Sequence, residues 1–171
     1  MLFRSFEDDT PSRNVVAEIK GTEFPDEVIV MGGHIDSWDV GQGAMDDGGG
    51  CVAAWQAVKL MKELGLRPKR TVRVVMWTNE ENGLRGGNAY RDAHMDNLNN
   101  HILAIESDGG VFKPKGFGFT GSDDAFKILT DIGKLLYPIE SGIMIKGGGG
   151  ADIGPIMREG VPGMGLKVEG L

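Results

Sequence analysis

A histidine and a series of acids recur along this chain at places where chemistry could start: His34 and Asp36, then Asp46 and Asp47, then Glu80 and Glu81, then Asp108. Imidazole nitrogen and carboxylate oxygen are the ligands of divalent metals such as zinc, and a carboxylate outside the metal's shell can act as a general base. His34 and Asp36 stand two apart, which on an extended segment puts both side chains on one face. Asp36 could then hold the ring nitrogen of His34 that faces away from a metal; a surface ion pair would use the same two residues. Asp46-Asp47 lies between Gly43-Ala44-Met45 and Gly48-Gly49-Gly50. One carboxylate could bridge two metals there, while aspartate is equally a helix N-cap. Both hold if Asp46 takes the metal and Asp47 the cap. The glycines are not a phosphate-binding loop, because the Lys-Ser/Thr ending is absent. Glu80-Glu81 would place adjacent, mutually repelling carboxylates at the end of a buried strand, a cost relieved when a metal takes one and leaves the other as base. A solvated surface doublet is the plainer alternative. Asp108, before Gly109-Gly110, is a ligand candidate or a turn residue.

These residues need elements that bring them together. The β-branched stretches 15–19, 27–31, 71–77, 101–106 and 163–168 read as strands. Residues 50–64 carry Val52, Trp55, Val58, Leu60, Met61 and Leu64 at helical spacing, and Gly65 stops them. Helices are also expected over 84–94, over 123–136, and from Asp152, which can act as N-cap. Strands alternating with helices imply an α/β fold, a mostly parallel mixed sheet with helices on both faces. His34, Glu80 and Asp108 each follow a strand, and sites in such sheets form at the carboxyl ends of strands. The set therefore reads as a metallohydrolase core with two divalent metals.

At 171 residues the chain fits one domain, and 40% apolar with 25% charged residues is ordinary globular composition. The net charge of −7 argues against nucleic acid or an anionic membrane surface as partner. Cys51 is the single cysteine, so neither an internal disulfide nor a thiolate zinc cluster is available. No stretch reaches the roughly 20 apolar residues of a membrane span. The Met1–Phe6 stretch is too short and too soon acidic for a signal peptide. His94 and His101 fall in a helix end and a strand start, and are read as structural.

The run Gly33-His34-Ile35-Asp36-Ser37-Trp38-Asp39-Val40-Gly41-Gln42-Gly43-Ala44-Met45-Asp46-Asp47-Gly48-Gly49-Gly50 resembles the di-zinc aminopeptidase-like exopeptidases, in particular the plasma glutamate carboxypeptidase branch and its bacterial relatives. So do Leu64-Gly65-Leu66-Arg67-Pro68-Lys69-Arg70-Thr71, Trp77-Thr78, Glu80-Glu81, Glu106-Ser107-Asp108 and Gly160-Val161-Pro162-Gly163. The resemblance implies that His34 and Asp108 bind one zinc, Glu81 the other, and Asp46 bridges them. Glu80 would be the general base, and Asp36 would orient His34. It implies a cis Asp46-Asp47 peptide, small-peptide substrates and a secreted or otherwise extracytoplasmic setting, and it leaves room for a homodimer.

The pattern also departs from the family. The second zinc of such enzymes takes a further histidine beyond the Gly-Val-Pro segment, and relatives carry an upstream protease-associated portion. The expectation is therefore that residues 1–171 are part of a catalytic domain, with a weak second metal site and little activity alone. Ala151 stands where a hydroxyl residue is common. Two rival readings remain: a single-zinc acyltransferase of the glutaminyl cyclase kind, and a non-catalytic module that keeps the fold.

Overall fold

The structure, a computed structural model, describes residues 8–170; the Met1–Phe6 stretch lies outside them. One mixed sheet organises the chain. Its strands are β1 (Val15–Ile19), β2 (Phe24–His34), β3 (Arg70–Trp77), β4 (His101–Glu106), β5 (Pro114–Thr120), β6 (Ile143–Lys146) and β7 (Gly163–Val168). They lie in the order β1-β3-β2-β4-β7-β5-β6. The β1–β3 and β5–β7 pairs are antiparallel, and the other pairs are parallel. The helices are α1 (Gly48–Glu63), α2 (Arg85–His94), α3 (Asp123–Gly133) and the single turn α4 (Gly154–Met157), with 3-10 turns over Met95–Asn100 and Lys134–Ile139.

Strand β3 explains the layering. Its valines fit a pleated backbone, and they are buried on both faces, as expected of a strand inside a parallel sheet. On one face Val75 and Trp77 join Val28, Val30, Tyr90, Leu98, Ala104, Ile153, Ile156 and Val161 in the main core. The ring of Trp77 meets Tyr90 of α2 edge-on at 6.5 Å. Each fully buried side chain of this group contributes roughly 1.5–3 kcal/mol of transfer free energy. On the other face Val72 and Val74 are also buried, and α1 packs across β2 and β3.

Three differences from the sequence reading have local causes. Strands β5 and β6 were not anticipated. Gly116 and Gly118 interrupt the β-forming pattern of β5, yet they are what lets neighbours close in: a β-carbon on Gly118 would lie 2.4 Å from the Gly147 carbonyl. The helix expected over 123–136 ends at Gly133 and tightens into a 3-10 turn holding Pro138, whose ring cannot continue an α-helix. Asp152 is not a cap: α4 starts at Gly154 after Ile153, and both Asp152 carboxylate oxygens are buried without a hydrogen-bond partner.

Candidate metal centre

The central position of β2 places His34 between the carboxyl ends of β3 and β4, paired in register with Trp77. Glu80 and Glu81 follow β3 within one tight turn, and Asp108 follows β4 by two residues. The turn is made by Asn79 and Leu84, both in the left-handed region (φ 57°), and it closes through Gly83 and Leu84 N–H groups donating to the Glu80 carbonyl at 3.0 Å. Asp46 comes from the loop ahead of α1, and the Asp46-Asp47 peptide is cis. All members of the sequence-predicted set thus reach one rim of the sheet.

His34 is 1% exposed. Its Nε2 lies 3.0 Å from Asp46 Oδ1 and 3.6 Å from Asp108 Oδ1. Burial alone would lower its pKa, but hydrogen bonding to Asp108 and the charges of Asp108, Asp47 and Asp152 outweigh burial and push it up to about 10. Among the described residues, two sets offer ligand atoms within 4.8 Å of one another: His34, Asp46 and Asp108, and His34, Glu80 and Glu81. The second set differs in membership from the expected Asp46–Glu81 pairing, although the Asp46 charge, after desolvation, helps raise the Glu81 carboxyl. Glu80 is also raised, first by burial and then by the surrounding acids. A nitrogen and several converging oxygens that repel each other when ionised are a donor set a divalent cation fits.

Three other carboxylates each grip a pair of backbone amides. Asp47 accepts from His34 N–H at 3.1 Å and Gly50 N–H at 3.0 Å, which makes it the N-cap of α1 and ties that helix to the strand carrying His34. Asp36 accepts from Glu80 N–H at 3.0 Å and Glu81 N–H at 3.3 Å. Glu106 accepts from Ala151 N–H at 2.7 Å and Ile153 N–H at 2.9 Å. The Asp36 geometry modifies the expected role. Its backbone carbonyl, 3.0 Å from His34 Nδ1, is the near acceptor for the ring, and its carboxylate stands 3.6 Å away. One residue therefore holds the imidazole with its main chain and the Glu80-Glu81 turn with its side chain. Burial raises Asp47 and Glu106 to about 7, although the gripped amides pull the other way.

Sequence reasoning missed Glu106 as a structural acid and misread Asp152. An acid inside the apolar run His101–Glu106, two residues from Asp108 and so on the same face, was the available signal. Asp152 is raised to about 8 by burial and then by Glu106. His94 and His101 lie at the opposite end of the sheet, where β4 begins.

The sequence profile of Peptidase family M28 matches residues 14–170. The chain belongs to this family. Carboxypeptidase Q of Bos taurus is 51% identical over 158 residues, covering 92% of this chain and 34% of the relative. The chain thus spans about a third of the length of such curated relatives. Among solved M28 structures, the Peptidase M28 precursor from Shewanella amazonensis SB2B is similar with a TM-score of 0.85 and 37% identity, over 92% of this chain and 36% of that one. The zinc aminopeptidase BSAP from Bacillus subtilis shares the M28 fold at a TM-score of 0.71 and 18% identity, over 90% of this chain and 39% of that one.

Proposed function

We propose that this chain carries the catalytic rim of a zinc-dependent exopeptidase that hydrolyses small peptides with two metal ions. Supporting this reading is the convergence of His34, Asp46 and Asp108 with Glu80 and Glu81 at the carboxyl ends of β2, β3 and β4, in a chain half-identical to carboxypeptidase Q. His34, Asp46 and Asp108 would hold one ion, and Glu81 the other, with Asp46 shared. Zinc, when bound, supplies Lewis acidity toward the scissile carbonyl and lowers the pKa of water.

The chain's own residues then have separate tasks. Glu80, raised by burial among acids, takes the proton of the attacking water and delivers it to the leaving amine. Asp36 is a positioning residue, holding the amides of Glu80 and Glu81 and the His34 ring. Acyl transfer on the same fold is less well supported, because relatives sharing half the sequence are carboxypeptidases. An extracytoplasmic setting belongs to the same proposal. No helix among the described residues is long and apolar enough to cross a membrane.

Two neighbouring substitutions test the assignment. Glu80→Gln keeps shape but cannot accept a proton, so kcat for a dipeptide should fall by about 10²-fold or more while zinc content stays unchanged. Glu81→Gln should instead lower bound zinc, read by metal analysis after dialysis. Near-normal turnover in metal-loaded Glu80→Gln would refute the role of Glu80.

A further inference from the structure

Beside the ligand Asp108 opens a cavity of about 210 Å³ lined by Glu106, Asp108, Gly149, Gly150, Gly165 and Lys167. Strands β4 and β7 run parallel with Glu106 beside Gly165, and Lys167, two residues further along β7, shares the face of Gly165. Gly149, Gly150 and Gly165 make up part of the wall, with Leu166 beside them. A β-carbon on Gly165 would lie 2.2 Å from the Gly149 carbonyl, and one on Gly150 would lie 2.1 Å from the Glu106 carboxyl carbon. Gly118 also leaves room for the lysine, whose Cε passes 3.1 Å from where a β-carbon there would sit.

The charge pattern is the decisive observation. The rim gathers Asp46, Glu80, Glu81, Glu106 and Asp108, yet the exposed Lys167 also lines this cavity. The neighbouring lysines are occupied: Lys113 pairs with Glu140, and Lys115 with Glu169 at 2.8 Å. Among the described residues Lys167 has no carboxylate partner within ion-pair distance. An exposed cation sharing a cavity with Asp108 suits an anionic group carried in by whatever binds the metal rim.

We propose that Lys167 is a specificity-determining residue that receives a carboxylate of the peptide substrate. The proposal rests on the peptidase reading and adds the substrate's charge to it. The carboxylate could be the peptide's C-terminus or an acidic side chain, and the two sources are separable.

The test compares the chain with its Lys167→Met and Lys167→Arg variants. The ligands are alanyl-alanine, alanyl-alaninamide, glutamyl-alaninamide and glutaminyl-alaninamide, read by calorimetric Kd and by kcat/KM. Lys167→Met should weaken binding of a carboxylate-bearing ligand by about five- to tenfold, leave the two uncharged amides unchanged, and be rescued by Lys167→Arg. Loss on alanyl-alanine identifies the C-terminus, and loss on glutamyl-alaninamide identifies the side chain. Equal loss on all four ligands, or on none, or no preference of the parent chain for a carboxylate, overturns the proposal. Charge-selective binding leaves Lys167 standing whether or not this chain turns the peptide over; hydrolysis without charge selectivity overturns Lys167 and leaves the peptidase reading standing.

Discussion

Asp36 shows how one residue can serve both halves of a centre. Its carbonyl faces the His34 ring, and its carboxylate collects the amides of Glu80 and Glu81. Asp36→Ala removes the second function and leaves two amides unpaired, at a cost of about 1–3 kcal/mol in urea unfolding. Zinc affinity should fall by about 10–100-fold, measured by calorimetric titration, because the turn carrying Glu81 loosens. Asp36→Asn retains one acceptor oxygen and the main-chain carbonyl, and should fall between. The two-residue spacing made the closeness of His34 and Asp36 legible in the sequence. Which atom of Asp36 meets the ring was not, because that depends on how the chain turns after β2 and on where a second strand ends.

At the scale of elements, β3, β4, β7 and α1 were readable because each has a period or a β-branched run of its own, and because Asp47 and Gly65 punctuate α1. Strands β5 and β6 were not, since their pairing depends on missing side chains at Gly116 and Gly118 rather than on present ones. Where α2 meets β4, the sequence offered two histidines without roles, and the structure gives them one. Arg73 donates to Tyr90 Oη at 2.9 Å and to His94 Nε2 at 3.1 Å, and Tyr90 Oη lies 2.9 Å from His101 Nε2. His101 is held down to about 4, by burial first and then by the charges of His94 and Arg73, from an ordinary value of 6.5. The unfolded chain therefore takes up this proton first. Its contribution to stability is complete above pH 6.5 and is lost as pH falls toward 4. Relative to His101→Gln, the parent chain should lose on the order of 2 kcal/mol across that interval, measured by urea unfolding at each pH. A constant difference would show that the histidine is not held neutral.

For the molecule as a whole, the candidate centre is a meeting of several loops, so its occupancy should be felt globally. An ion that binds only the folded chain stabilises it by mass action, about 2.7 kcal/mol at a hundredfold excess over Kd. Zinc should raise the unfolding temperature and a chelator should reverse the gain. The increments should be unequal: His34, Asp46 and Asp108 form a set including an imidazole, and the other set offers only carboxylates plus a share of the same His34. Titration is expected to give one tight ion and a second at least tenfold weaker. Two equally tight ions would mean that another residue completes the second set.

The paired grips of Asp36, Asp47 and Glu106 have a bearing on how such a chain can drift through generations. Each takes hold of peptide N–H groups, which every residue except proline supplies alike. The grip itself therefore does not depend on the side chain of the residue held, although His34, Glu80, Glu81 and Gly50 are fixed on other grounds. Ala151 is the plain case: its amide donates to Glu106 at 2.7 Å, indifferent to the side chain it carries. Loss of a gripping acid, by contrast, releases two amides at once, and in the grips of Asp36 and Asp47 at least one of them belongs to a residue of the candidate centre.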